Sequence, residues 1–115
     1  MNIQSFLSEI DAIYKTGAAT EHSYRADLQG LLSSIAPDVT ALNEPKRVKC
    51  GAPDFIVSQG DIVIGHVEAK DLPVGIRGFK DSNKDQQKRY LAALPNLVYT
   101  NCLDWDFYRD SELVA

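Results

Sequence analysis

The chain has 115 residues, enough to enclose one hydrophobic core but too few for two. Hydrophobic residues make up 44% and charged residues 24% of the sequence, which excludes disordered, fibrous and disulfide-rich classes. The formal net charge of −4 excludes a uniformly basic surface, but residues 46–89 contain nine basic and six acidic side chains. The middle of the chain therefore has the positive balance that contact with phosphates requires.

Nothing at the amino end resembles a signal peptide, because polar residues interrupt each apolar stretch there and no basic segment precedes one. No apolar stretch in the sequence is long enough to span a membrane. We therefore expect a cytoplasmic protein with no membrane part. Cys50 and Cys102 have no CxxC partner, so we expect reduced thiols that pack as small apolar side chains.

Two amphipathic helices are predicted first. The apolar side of helix one carries Ile3, Phe6, Leu7, Ile10, Ile13 and Tyr14 at helical spacing. Thr20 is a suitable cap for the second helix, and Pro37 ends it. The apolar side of helix two carries Tyr24, Leu28, Leu31, Leu32 and Ile35.

Short β-type runs follow at 39–42, 54–58 and 61–70, and Gln59 and Gly60 between the last two indicate a tight hairpin. The third run is apolar on both faces, which is typical of a central strand covered on each side. Its apolar residues are Ile62, Val63, Ile64 and Val67.

A loop, a helix and further strands complete the chain. Residues 72–79 include Pro73, Gly75 and Gly78, a loop composition with enough mobility to close over a bound molecule. A polar helix is predicted over 81–93 and a strand over 97–100, with a further strand starting at 105–108.

The predicted fold class is α/β, an α+β sandwich, in which helices flank a central mixed sheet of four or five strands. The element order is α-α-β-β-β-α-β with an optional last β, in a single domain over 1–115.

Two acids and an amine are predicted to meet in this sheet. Glu68 and Lys70 are two residues apart on a strand, so their side chains leave the same face. The hairpin brings Asp54 back beside Glu68. Two carboxylates suit a hard cation such as Mg²⁺ or Mn²⁺, and an adjacent lysine suits hydrolysis of a phosphodiester.

These residues, in this order of elements, resemble the PD-(D/E)XK nuclease superfamily, with Pro53 and Asp54 as one motif and Glu68, Ala69 and Lys70 as the next. The resemblance implies a restriction-endonuclease-like core and Mg²⁺ as cofactor, with Mn²⁺ as a substitute. It implies that Asp54, Glu68 and the backbone carbonyl of Ala69 bind the metal. Glu21 matches the acidic residue that many of these nucleases place beside the metal, here assigned to act through water.

Gln86 and Tyr90 resemble the QxxxY motif of the branch typified by RecB, on the helix after the catalytic strand. Residues four apart share a helix face, so both can look toward one cleft, where Lys88 and Arg89 can meet phosphates. The resemblance adds Glu21 and Gln86 to the catalytic residues. The expected DNA contacts are Lys49, Gln86, Lys88, Arg89 and Tyr90.

A closer resemblance is to the amino-terminal nuclease region of single-polypeptide restriction-modification enzymes, the type ISP group and its relatives. The segments that carry it are TEHSYRADLQGLL, ALNEPKRVKCGAPDFIV, HVEAKD and DQQKRYLAALPNLVYTN. It implies an Mg²⁺-dependent deoxyribonuclease that nicks double-stranded DNA in phage defence, with a transient nuclease dimer for a double-strand break. It also implies an amino-terminal fragment of a longer protein that carries an ATP-driven translocase and a methyltransferase.

The residues leave several alternatives open. The domain is alternatively a non-catalytic nuclease-like module for DNA binding or dimerisation, or a junction resolvase or RNA-directed nuclease with the same core. Tyr90 is alternatively a core aromatic, and an acid at position 21 is also favoured by the helix dipole alone. His22 and His66 show no zinc spacing and receive no site role.

Overall fold

The computed structural model describes residues 2–18, 21–43, 51–71 and 75–115, and of Glu21 and His22 it describes the backbone alone. The helices in this part are α1 (Ile3–Tyr14), α2 (Arg25–Ser33) and α3 (Asp81–Ala93), with a 3₁₀ turn at Glu21–Tyr24 directly before α2. The strands are β1 (Val39–Asn43), β2 (Phe55–Gln59), β3 (Ile62–Ala69), β4 (Asn96–Thr100), β5 (Trp105–Arg109) and β6 (Glu112–Leu113).

The six described strands form one mixed sheet in the order β1-β2-β3-β4-β5-β6. All neighbours are antiparallel except β3 and β4, which are parallel. A parallel pair needs a crossover connection, and α3 supplies it. The predicted fold class and order of elements are confirmed, but the sheet has one strand more than the predicted four or five. β6 is only two residues long, which is too short to leave a pattern in the sequence.

Helices cover both faces of the sheet. α1 and α2 pack on one face around a core that includes Phe6, Leu28, Phe55 and Val67. α3 packs on the other face around a second core, which consists of Ile76, Tyr90, Leu94, Leu97 and Tyr99. Successive residues of β4 alternate between these cores, as the pleat of a strand requires. The chain is therefore a three-layer sandwich with the sheet in the middle.

Local signals explain where the helices begin. The side chain of Asn2 accepts a hydrogen bond of 2.8 Å from the Ser5 backbone N–H, and the side chain of Ser5 accepts one of 3.1 Å from the Asn2 backbone N–H, a capping box that starts α1. The predicted cap at Thr20 lies outside the described residues, and α2 itself starts later, at Arg25 after the 3₁₀ turn. α3 spans the predicted range 81–93.

Two expectations about burial are wrong. Ile35 is 69% exposed rather than on the apolar side of a helix, because α2 ends at Ser33. β3 is central in strand order, but its first half is uncovered and Ile62 is 71% exposed. The helices reach only the second half of the strand. An apolar groove of about 370 Å³ remains open beside α1 and α2, with Ile64 and Phe107 in its lining.

Among the described residues, no helix combines the length and the apolar character needed to cross a bilayer. Cys102 is a free, buried thiol, and burial raises its pKa to about 12. The prediction that it packs as a small apolar side chain is confirmed, whereas Cys50 lies outside the described residues.

Candidate active site

The β2-β3 hairpin creates the centre of the site. Phe55 pairs with Val67, so the residue before β2 lies beside the end of β3. Asp54 and Glu68 are 8% and 6% exposed, and the backbone N–H of Asp54 donates to Glu68 Oε1 at 3.2 Å. The N–H of Ala69 donates to Asp54 Oδ2 at 2.8 Å. The two predicted acids are therefore adjacent and buried. Each carboxyl group accepts a backbone N–H from the segment that carries the other acid.

Lys70 is buried at the same place and its amine is held by three acceptors. Its Nζ donates to Glu68 Oε2 at 3.4 Å, to Asn83 Oδ1 at 3.1 Å and to Gln86 Oε1 at 2.9 Å. An ammonium group has three hydrogens, so these contacts use its full donor capacity. The amine also lies 5.7 Å from the centre of the Phe79 ring. Such contacts fix the position of the charge within the site.

Gln86 links the acid to the amine. Its Nε2 donates to Glu68 Oε2 at 3.2 Å while its Oε1 accepts from Lys70 and, at 3.4 Å, from the Tyr99 hydroxyl. The structure therefore brings Asp54, Glu68, Lys70 and Gln86 together. Asn83 was not predicted, although it lies one helical turn before Gln86 and so shares its face.

The second residue that sequence reasoning missed is Arg25. Its Nη2 forms a buried ion pair of 2.6 Å with Asp54 Oδ1. Arg25 shares the buried side of α2 with Leu28 and Leu32, at spacings of three and four residues. An arginine on the apolar side of a helix needs an anionic partner in the interior. The position of Arg25 on that side of the helix was therefore the sequence signal for a buried acidic partner.

Burial and like charge act on the acids together. The pKa of Glu68 is raised to about 7, chiefly by burial and next by the Asp54 carboxylate, against the opposing effects of Lys70 and the Asp54 N–H. The site thus contains two carboxyl groups and two cationic side chains. Each carboxyl group lies beside its own cation, Asp54 beside Arg25 and Glu68 beside Lys70.

The donor set fits a hard divalent cation. An ionised carboxyl group has about four lone-pair positions, so each acid can accept a cation beside the groups that already donate to it. The N–H and C=O of a strand residue face the same neighbour, so the carbonyl of Ala69 lies on the Asp54 side. Among the described residues no three His, Cys, Asp or Glu side chains gather to hold a metal. In the described part of the chain, the ligands at this place are therefore two carboxyl groups and one carbonyl.

The remaining predicted residues have different positions. Lys88 and Arg89 are exposed on α3, so both side chains lie at the surface. Tyr90 is 3% exposed in the second core, and a β-carbon on Gly51 would lie 3.1 Å from its ring. A direct contact of Tyr90 with DNA is therefore not supported by its position, because packing against Gly51 buries the ring, and the alternative of a core aromatic fits.

The predictions for three residues fall on parts of the chain that the structure does not describe. These are Lys49 and the side chains of Glu21 and His22.

His66 is half-buried on β3, and burial lowers its pKa, which favours the neutral ring near pH 7.

The fold has a counterpart among solved structures. A chain in a cryo-EM structure of a DrdV–DNA complex superimposes with a TM-score of 0.74 over 98% of this chain, at 21% sequence identity. This chain spans 12% of that chain's length. No model of a known protein family matches the sequence, and no curated protein matches it. The likeness concerns the fold, a mixed sheet flanked by helices that is compatible with a restriction-endonuclease-like core.

Proposed function

We propose that this chain is a metal-dependent endonuclease domain that hydrolyses DNA phosphodiester bonds by nicking one strand. The observation that carries the proposal is the convergence of Asp54, Glu68 and Lys70 at one end of the sheet, bridged by Gln86. A structure that only needed stability would gain little from burying two acids and an amine together, because desolvating charges is costly. The PD-(D/E)XK resemblance assigns the same residues to catalysis.

In this proposal, different residues of the site bind the metal and stabilise the reacting phosphate. Asp54, Glu68 and the Ala69 carbonyl would hold Mg²⁺ or Mn²⁺, and a bound ion supplies Lewis acidity toward the phosphate and makes water a better nucleophile. Lys70 is held where its charge can orient the attacking water or offset charge that develops on the phosphate. Gln86 and Asn83 hold the lysine amine in that position. Glu68 must release its proton to bind the cation.

Double-stranded DNA is the proposed substrate. Support comes from the exposed Lys88 and Arg89 on α3, the helix that also carries Gln86. The structural neighbour was determined as a complex with DNA, and this chain corresponds in length to a small part of it. We extend the proposal to a role in phage defence within a longer restriction-modification protein that carries an ATP-driven translocase and a methyltransferase. A transient pair of such domains would then cut both strands.

The test is nicking of supercoiled plasmid by the purified chain at high concentration, with Mg²⁺, Mn²⁺ or EDTA. We expect nicked circles only with metal, and a fall of about 100-fold or more in rate for Asp54→Asn, Glu68→Gln and Lys70→Met. The matched controls Asp61→Asn, Glu112→Gln and Lys15→Met make the same changes at exposed positions and should nick like the parent.

The outcomes separate the alternatives. Site variants that nick as fast as the parent would contradict the assignment. Salt-dependent DNA binding without nicking or metal uptake would favour the non-catalytic module. Faster cleavage of branched DNA or of RNA than of linear duplex would change the substrate to that of a junction resolvase or an RNA-directed nuclease.

A further inference from the structure

The pair formed by Arg25 and Asp54 is the starting point for an inference about metal affinity. The two side chains are each 11% exposed, and Nη2 lies 2.6 Å from Oδ1. Arg25 belongs to α2 and Asp54 precedes β2, so the contact joins the helix layer to the end of the sheet. An arginine is always charged in proteins, so this cation is permanent.

The orientation of Asp54 does not depend on Arg25 alone. The second carboxylate oxygen, Oδ2, accepts the Ala69 N–H at 2.8 Å, and the Asp54 backbone donates to Glu68 Oε1 at 3.2 Å. Both contacts are made with β3, and neither involves the arginine side chain. The contribution that is particular to Arg25 is therefore its positive charge at Asp54 Oδ1.

A divalent cation bound to Asp54 would lie close to the positive charge of Arg25. Cations that share one carboxylate repel each other, and the repulsion is strong where water is excluded. We propose that Arg25 is a resident counter-ion of Asp54, which compensates the buried carboxylate without metal and thereby weakens the binding of the divalent cation. The inference rests on the proposed function for the location of the cation site.

Two consequences follow from this arrangement. Without metal, loss of the arginine leaves Asp54 as a buried carboxylate without its nearest cation, so the folded state loses stability. With metal, loss of the arginine removes a repulsive charge, so the cation binds more tightly. A residue with a purely structural role would lower stability in both conditions without tightening metal binding.

The first experiment is calorimetric titration of Mn²⁺ into the parent chain and into Arg25→Gln, with Arg25→Lys and Arg77→Gln as controls. Arg77 is paired with another buried acid, Asp106, at 2.8 Å and lies outside the Asp54 and Glu68 contacts. We expect Arg25→Gln to bind Mn²⁺ about tenfold more tightly than the parent. Arg25→Lys and Arg77→Gln should stay within about threefold of the parent.

Equal or weaker Mn²⁺ binding by Arg25→Gln would overturn the inference while leaving the metal site in place. Absence of Mn²⁺ binding by the parent and by Arg25→Gln would instead contradict the proposed function. The two failures are therefore distinguishable in one titration series.

A second measurement needs no metal and covers the case in which Arg25→Gln folds poorly. Thermal melts in EDTA compare Arg25→Gln, Asp54→Asn and the double variant with the parent. Each single change removes one side of the 2.6 Å ion pair and with it the charge compensation that the pair provides, so we expect the double variant to melt at or above the less stable single variant. Losses that simply add would show that the pair provides no charge compensation, and would overturn the inference.

Discussion

At the scale of the residue, Glu68 combines burial with contacts to Lys70, Gln86 and the Asp54 backbone. Burial is the largest cause of its pKa of about 7, well above the usual range of a glutamate. A folded-state pKa above the unfolded value means that the folded chain binds the proton more tightly than the unfolded chain. Stability from this group is therefore present at acid pH and is lost as pH rises toward and through 7.

This sign gives a prediction for Glu68→Gln in EDTA. The amide carries no charge at any pH, so the variant escapes the cost of a buried carboxylate above pH 7. The change also takes the counter-ion from the buried Lys70 amine at both pH values, so we expect the melting temperature of the variant relative to that of the parent to rise by about 5 °C between pH 5 and pH 8. Differential scanning calorimetry at both pH values measures it, with the exposed Glu112→Gln as control. A difference that does not grow with pH would contradict the buried, destabilised carboxylate.

At the scale of the element, β3 has two halves with different surroundings. Its first half lies beyond the reach of the helices, and its second half crosses the core that α1 and α2 enclose. Each half carries one valine, exposed in the first half and buried in the second, and the second half also carries His66 and Glu68. The same residue type therefore has a different energetic role at each end of one strand, with Val63 53% exposed and Val67 2% exposed.

The strand supplies its own matched experiment. Val67→Thr buries a hydroxyl in an apolar core, so we expect a loss of about 2 kcal/mol in the free energy of unfolding. Val63→Thr makes the same change where water reaches the side chain, and should cost less than about 0.5 kcal/mol. Urea unfolding of the two variants measures the difference. Equal losses would mean that the first half of β3 is covered in solution.

At the scale of the whole molecule, the site lies where the layers meet. Arg25 reaches it from the helices on one face, Gln86 from α3 on the other, and the acids from the sheet. The outer side of α3 carries Lys88 and Arg89. A nucleic acid that lay along this side of α3 would come within reach of these two cations.

That arrangement predicts how DNA binding responds to salt. Removing two phosphate contacts should reduce the slope of log affinity against log salt concentration by about two, so Lys88→Ala with Arg89→Ala should bind DNA more weakly and less salt-dependently. The matched control is Lys15→Ala on α1, an exposed lysine that forms a salt bridge with Asp11. Fluorescence anisotropy with a DNA duplex across a range of salt concentrations measures both. An unchanged slope would show that these two residues of α3 do not contact the DNA phosphates.

The sequence by itself determined the order and type of the elements and the meeting of Asp54, Glu68 and Lys70. The order of the elements and the shared face of Glu68 and Lys70 depend on short-range causes. A two-residue turn at Gly60 returns one strand along the other, and a two-residue spacing puts Glu68 and Lys70 on one face. The register shift between Val57 and Ser58 then sets Asp54 opposite Glu68 rather than Val67, and the sequence pattern did not indicate that shift. The helix α3 was bounded correctly because Pro95 and the change of pattern mark its end.

Only the tertiary structure decided which face each element covers and which distant groups pair. Arg25 and Asp54 are 29 residues apart, and Lys70 and Asn83 are 13 apart on different elements. The burial of Tyr90 and the exposure of Ile62 were decided in the same way. A residue pattern reports which side chains are apolar, but the path of the helices over the sheet determines which of them water reaches. Long-range electrostatic pairs depend on that path, and no local spacing encodes it.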